Sequence, residues 1–242
     1  ISDNLTEAER GAYKELEYEV GCLKRYRAEA EVYRRMREHG IDGKDVPRFI
    51  GSVKILRSYM SKSCRTENSE MDGVPGILMQ HVRGFSMREL YNTPSPPPRR
   101  EDWKSIIDDG QRIVQYWMQK MDIRNLDDSI ARNSVVHWDA IDEKWKCKLI
   151  DFGNCEFRQV GTRLWEWRRE QAFSEEEQLC RPMEYFLAQK KGFTYMWELS
   201  QYTQELIRDF RMEKSTGIEP DGYESQSSQS AEDGKLRSQD NK

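Results

Sequence analysis

Residues 123–153 read IRNLDDSIARNSVVHWDAIDEKWKCKLIDFG, and the interpretation of the whole chain starts from this stretch. Asp128 precedes Asn133 by five residues, and two apolar runs separated by a polar segment then lead to Asp151. The pattern predicts a loop carrying a carboxylate and an amide, a β-hairpin over 134–150, and a second carboxylate where the hairpin ends. Phosphoryl transfer to a hydroxyl needs such groups, because one Asp accepts the hydroxyl proton while an Asn and another Asp hold Mg²⁺.

Composition limits the class of protein. The chain has 242 residues, 39 basic and 43 acidic side chains and a net charge of −4, with both signs mixed throughout, which argues against a nucleic-acid-binding surface. Its five cysteines are scattered and never spaced as CxxC, so we expect reduced thiols rather than disulfides or a zinc site. No apolar run approaches the roughly 18 residues that a membrane span needs. The expectation is one or two domains in the cytoplasm or nucleus, with no membrane partner.

The N-terminal part predicts a long helix over residues 5–38. Its apolar stripe consists of Cys22, Tyr26, Glu29, Tyr33 and Met36. Glu29 is the informative member of this stripe, because a carboxylate in an apolar stripe is costly without a cation. Two interpretations remain open for Glu29: it pairs with a distant functional cation, or it pairs with an Arg one helical turn away.

The middle of the chain predicts a small β segment. The predicted elements are a strand at 46–53, a polar loop at 57–75, a strand at 76–79, a connector at 80–84, and a helix from Ser86 that ends at the prolines of 94–98. Ser86 with Glu89 three residues later is a capping-box pattern. A central core helix is predicted over 101–121, where one broad face is apolar.

The C-terminal part predicts helical and irregular structure, with an amphipathic helix at 202–210. Packing anchors after Gly153 are Trp165, Trp167, Phe173, Met183, Phe186 and Leu187. The residues from about 214 onward are rich in Ser, Gln, Asp, Gly and Lys and predict a disordered tail. The expected organisation is α+β with two lobes: residues 1–82 as an incomplete N-lobe with one helix and strands, residues 83–212 as a mainly helical C-lobe, and residues 213–242 as the tail.

These motifs resemble the protein-kinase-like superfamily, and more narrowly the degenerate kinase-like proteins of filamentous fungi. The resemblance covers about residues 29–202. Residues 128–133, DSIARN, are similar to the kinase catalytic loop, and Asp151-Phe152-Gly153 is similar to the DFG element. The resemblance implies a two-lobed protein-kinase-like fold and ATP-dependent phosphoryl transfer, with ATP and Mg²⁺ as cofactors. It implies an acceptor that is either a protein Ser or Thr or a small molecule.

The resemblance also implies roles for single residues. By it, Asp128 is the catalytic base, Asn133 and Asp151 are Mg²⁺ ligands, and Glu29 is the helix glutamate that pairs with a strand lysine. Met79 is implied to line the adenine site as gatekeeper, with the backbone groups of Gln80 and Val82 facing the base. From the residues alone, Asp127, Asp128 and Asn133 are also compatible with capping or turn roles; the five-residue step to Asn133 favours Asp128 over Asp127.

Several departures from the kinase pattern keep a second function open. Leu126-Asp127 replaces the usual His-Arg, Ile130 replaces the loop lysine of many kinases, and residues 1–28 contain no glycine-rich motif or V-A-I-K. Either the strands that carry those elements precede Ile1, or the protein is a pseudokinase that acts as a nucleotide-binding or interaction scaffold. A purely helical interaction protein is a third possibility, and it requires the hairpin at 134–150 to be absent.

Overall fold

A computed structural model describes residues 6–56, 73–92, 98–128, 130–171 and 175–216, and everything below concerns those residues. The helices are α1 (Glu7–Glu38), α2 (Trp103–Lys120), α3 (Leu164–Gln171), α4 (Glu175–Lys191) and α5 (Gln201–Thr216). The strands are β1 (Phe49–Leu56), β2 (Gly73–Met79), β3 (Phe85–Ser86), β4 (Ile123–Asn125), β5 (Ser134–Asp139), β6 (Lys144–Leu149) and β7 (Cys155–Phe157). They pair antiparallel as β1-β2, β3-β5-β6 and β4-β7, which confirms the α+β class.

The chain divides into two compact units. Of the described residues, those in 6–157 and 175–197 form the first unit, and those in 158–171 and 198–216 form the second. The division into lobes at residue 82 stays a prediction. In the second unit, Arg168 lies over the Tyr202 ring at 5.9 Å and Arg169 over the Phe210 ring at 6.0 Å, so arginine–aromatic contacts join α3 to α5.

The long predicted elements are confirmed. Helix α1 corresponds to the helix predicted at 5–38, α2 to the one at 101–121 and α5 to the one at 202–210. Strands β5 and β6 form the predicted hairpin, with Val136 opposite Cys147. The hairpin excludes a purely helical protein. Residues 213–216 of the predicted tail belong to α5. Parts of the predictions lie outside the described residues: the loop at 57–72, the prolines at 94–97, Phe173, and the tail from 217 onward.

The shorter elements differ from their predictions. Strand β1 begins at Phe49 rather than at residue 46, because the preceding residues form a loop in which the Asp42 carboxylate accepts the Phe49 N–H at 2.7 Å. The Ser86 N–H donates to Glu89 at 3.0 Å, as the capping box predicts. The Ser86 hydroxyl, however, donates to the Arg132 carbonyl at 2.9 Å, and the segment after it is a 3-10 helix. The Ser86 hydroxyl therefore does not cap the following helix but bonds to the loop before β5.

The core of the first unit lies where α2 packs against β6 and α4, and where α1 packs against β2 and β7. Tyr33 and Met36 of the predicted stripe are completely buried, as is Val32, whereas Cys22 and Tyr26 are half-buried, so the stripe is confirmed in its C-terminal part. Glu29, one turn earlier, is half-buried. Helix α2 buries its apolar face as predicted, including Gly110, where a Cβ would lie only 3.1–3.2 Å from Met87 and Leu179 side chains.

A polar anchor holds the α1–β1 loop against β6 and α2. The Lys148 ammonium donates to the Gly43 carbonyl and, at 2.7 Å, to that of Lys44. Asp45 pairs with Arg112 through two hydrogen bonds of 2.8 and 3.2 Å. These contacts fix the C-terminal end of α1 relative to the hairpin, and so they position Glu29 on that helix. None of the helices in the described ranges is long and apolar enough to cross a membrane.

Candidate active site

The loop that joins β4 to β5 is built around buried polar groups. Asn125 closes β4, and its side-chain oxygen accepts the Asp127 N–H at 2.9 Å, which forms an Asx turn at the start of the loop. At the other end, the Asn133 carbonyl accepts the Ile150 N–H at 2.8 Å. The loop is therefore tied to its own strand at one end and to the end of the hairpin at the other.

Asn133 contacts Asp127 rather than Asp128. The Asn133 side-chain N–H donates to the Asp127 carboxylate at 2.7 Å, and each of the two side chains is only 7% exposed. Asp128, which the five-residue step singled out, is exposed. The Arg132 guanidinium lies 4.0 Å from Asp127. The loop thus has an inner, paired carboxylate and an outer carboxylate that faces solvent, and the amide oxygen of Asn133 remains available to a ligand.

Asp151 has a strained backbone beside a well-packed aromatic ring. Its φ is +62°, in the left-handed region where a non-glycine residue costs on the order of 1–3 kcal/mol. The next residue, Phe152, is completely buried and packs edge-to-face on Tyr33 at 5.5 Å and on Trp117 at 5.7 Å. This packing holds residue 152 in place, and the left-handed turn leaves the Asp151 side chain exposed.

Glu29 and Asp151 form a pair of carboxylates with no cation. Burial raises the pKa of Glu29, the negative charge of Asp151 raises it further, and a hydrogen bond from the Phe152 backbone opposes both effects. In the part of the chain that the structure describes, no Lys or Arg nitrogen lies within 4.0 Å of either carboxylate. The Arg partner of Glu29 considered from the sequence is therefore not engaged. Two neighbouring carboxylates are a favourable place for an added cation.

Cys155 lies on β7, which pairs with β4 and contacts helix α1, and its buried thiol is influenced by acidic groups from several elements. Burial raises its pKa well above the usual value, and the charges of Glu175, Glu29, Asp151 and Asp127 raise it further. The Leu126 N–H also donates to the Asn154 carbonyl at 3.0 Å, so the loop that carries Asp127 lies beside the segment that follows Asp151. Of these four carboxylates, the sequence singled out Glu29 and Asp151. It gave Asp127 only a capping or turn role, and it did not predict a role for Glu175.

Glu175 anchors the loop to helix α4. One carboxylate oxygen accepts the Trp117 indole N–H at 2.6 Å, and the other accepts the Asn125 N–H at 2.9 Å. Its side chain is fully buried, and burial raises the pKa of Glu175 to about 8, against the effect of both hydrogen bonds and of the Arg124 charge. The sequence does not distinguish Glu175, since it is the first of three consecutive glutamates, a pattern typical of a solvent-exposed helix N-terminus.

The residues predicted to face adenine lie at the end of β2. The Met79 sulfur accepts a hydrogen bond from the Tyr33 hydroxyl at 3.5 Å, and Tyr33 also contacts Phe152, so one side chain joins the strand end to residue 152. The Gln80 N–H is bonded to the Arg48 carbonyl at 2.8 Å, which leaves its carbonyl available. In the described ranges, the backbone of Val82 has no hydrogen bond within the chain.

No group of three or more His, Cys, Asp or Glu side chains arranged to hold a metal ion occurs among the described residues. A Mg²⁺ ion bound to a nucleotide needs fewer protein ligands, since water and phosphate oxygens complete its octahedron. Asp151 and the amide oxygen of Asn133 are ligands of the kind that Mg²⁺ accepts. The uncompensated negative charge of Glu29 and Asp151 would also favour a cation. No protein-family model matches the chain, and no curated protein matches it.

Proposed function

We propose that this chain is a protein-kinase-like domain with a two-lobed fold, which binds ATP with Mg²⁺ and transfers a phosphoryl group to a hydroxyl acceptor. The observation that carries the proposal is that three segments contact one another. The loop of the Asp127–Asn133 pair is bonded to the segment after Asp151 through the Leu126 N–H and the Asn154 carbonyl, at 3.0 Å, and Tyr33 of α1 contacts both Phe152 and Met79. In this proposal the backbone of residues 80–82 faces adenine, and Asp151 with Asn133 holds Mg²⁺. The bound ion supplies neutralisation of phosphate charge.

The chain's own side chains would divide the remaining work between them. Asp128 is exposed and lies on the solvent side of the loop, where it can accept the proton of an acceptor hydroxyl. Asp127 is buried and holds the Asn133 amide, which fixes the direction of the amide oxygen. Glu175 holds the start of the same loop through Asn125. Positioning of this kind accounts for much of the rate enhancement in phosphoryl transfer.

A second function, that of a pseudokinase scaffold, is favoured by one observation. Glu29 has no cationic partner in the described residues, whereas an active kinase needs a cation between this glutamate and the phosphates. The scaffold would bind nucleotide or a protein partner without transferring phosphate. The acceptor of an active enzyme, whether a protein Ser or Thr or a small molecule, is not fixed by the residues of the site.

Nucleotide binding by the full chain, measured by calorimetry and thermal shift with MgATP, tests the proposal. Wild type should bind, Asp151→Asn should lose most of the Mg²⁺-dependent affinity, and Glu17→Gln should behave as wild type because Glu17 is an exposed carboxylate three helical turns from Glu29. Absence of any heat or melting shift with wild type would contradict the proposal.

A comparison of two loop variants assigns the catalytic roles. Asp128→Asn should retain MgATP affinity and lose phosphoryl transfer, since Asp128 is proposed to act only on the acceptor. Asp127→Ala should weaken both, because the Asn133 amide loses its acceptor. A wild-type protein that binds MgATP tightly but consumes none with any hydroxyl acceptor would favour the scaffold.

A further inference from the structure

The carboxylate pair of Glu29 and Asp151 needs a cation, and the described part of the chain offers one close by. Arg25 lies on α1 four residues before Glu29, so the two side chains emerge from the same face of the helix in successive turns. Arg25 is exposed, and no hydrogen bond or ion pair engages it within the described residues. Its position therefore bears directly on the site.

Arg25 packs against the turn that carries Asp151. A Cβ placed on Gly153 would lie 3.2 Å from the Arg25 Cβ and 3.5 Å from its Cγ, and the same point is 3.7 Å from the Asp151 carboxylate oxygen Oδ1. The aliphatic part of Arg25 thus runs over Gly153, close to the Asp151 carboxylate. The guanidinium lies beyond 4.0 Å from both Glu29 and Asp151, but rotation of the long side chain about its stem can bring it to either.

The other cations near the site are less suitable. Lys148 is committed to backbone carbonyls of the α1–β1 loop, and Arg132 lies 4.0 Å from Asp127. Arg27 is exposed but points away, since two residues rotate the helix by roughly 200°. The aliphatic stem of Arg25, by contrast, already packs against Gly153.

We propose that Arg25 binds the phosphates of the nucleotide and neutralises the Glu29–Asp151 pair, so that helix α1 supplies the cation instead of a strand. This inference rests on the proposed function. The planar guanidinium can donate two parallel hydrogen bonds to a phosphate, which makes Arg well suited to this position. Gly153 leaves room for the Arg25 stem, since a Cβ there would lie 3.2 Å from the Arg25 Cβ and would require a shift of a few tenths of an ångström.

The test compares Arg25→Met with the matched control Arg27→Met in the full chain, by calorimetry with MgATP, MgADP and AMP. Charge-assisted hydrogen bonds contribute enough that Arg25→Met should weaken MgATP binding by roughly tenfold or more. AMP lacks the outer phosphates and should be affected much less. Arg25→Lys should recover part of the loss, and Arg27→Met should bind as wild type does.

The outcomes separate the two proposals. If wild type binds none of the three nucleotides, the proposed function fails. If wild type binds MgATP and the Met variants at 25 and 27 bind equally well, the function stands and the role of Arg25 is refuted.

Discussion

Replacing Glu175 with Gln tests whether a buried acid holds the candidate catalytic loop in place. Glu175 is fully buried and accepts hydrogen bonds from the Trp117 indole and the Asn125 backbone. Burial raises the pKa of Glu175 to about 8, compared with 4.5 for an ordinary glutamate. Gln has nearly the same shape and cannot titrate, so the variant isolates the effect of the ionisable proton.

The sign of the effect follows from proton linkage. Between pH 4.5 and 8 the folded protein keeps a proton that the unfolded chain has released, so the stability due to Glu175 falls as the pH rises. One pKa unit corresponds to about 1.4 kcal/mol, so this contribution loses roughly 4 kcal/mol between pH 5 and 8. Below pH 4.5 both states are protonated, and above pH 8 both are ionised, so the slope vanishes outside that window.

Urea unfolding of wild type and Glu175→Gln at pH 5, 6, 7 and 8 measures the difference. Near pH 5 the variant should be no more stable than wild type and up to about 1–3 kcal/mol less stable, since the Gln amide leaves one of the two donors without an acceptor. By pH 8 it should have gained roughly 4 kcal/mol relative to wild type. Glu177→Gln, which removes a carboxylate paired with Arg181 from the same helix, controls for net charge. A difference between wild type and Glu175→Gln that does not change with pH would refute the reasoning.

Three further predictions concern residues that shape the site. Phe152→Ala should lower the unfolding free energy by about 3–5 kcal/mol, because a fully buried ring is removed, and a urea-unfolding loss below about 1 kcal/mol would show that its packing is misread. Asp151→Gly should be more stable in thermal unfolding than Asp151→Ala by about 1 kcal/mol, since φ is +62° there; equal melting temperatures would argue against backbone strain. Lys148→Met should cost about 2–4 kcal/mol in urea unfolding, because the Gly43 and Lys44 carbonyls lose their buried donor, and a neutral result would mean that water replaces it.

Elements with a long repeating pattern were predictable from the sequence, and very short ones were not. The apolar face of α2 repeats over five turns, and the hairpin of β5 and β6 has two apolar runs around a polar turn, so periodicity identified both. Strands β4 and β7 have three residues each, too few to show an alternation. They pair with each other, which places Asn125 opposite Cys155 and brings the two halves of the site together. Such short strands depend on tertiary contacts rather than on the local sequence.

The candidate site could be predicted as a set of segments but not as a set of contacts. Counting residues favoured Asp128 over Asp127 for the catalytic-base position, but it did not reveal that Asp127, at the Asx turn of Asn125, pairs with the Asn133 amide. A spacing rule assumes one loop conformation, and the loop here is set by buried hydrogen bonds that residue types alone do not reveal. Glu175 is an extreme case, since only its burial distinguishes it from the glutamates that follow.

Helix α1 controls the site through its register against residues 151–153. Arg25, Glu29 and Tyr33 are spaced four residues apart, and in successive turns they meet Gly153, the Asp151–Phe152 backbone and the Phe152 ring. A slip of one turn, about 5.4 Å, would move the acid to the place of the cation and the aromatic ring to the place of the acid. The complete burial of Tyr33 and Met36 fixes this register, so the same packing that stabilises the core also determines which charge faces Asp151. Any partner or modification that shifts α1 would therefore alter the cation and the carboxylate of the site together.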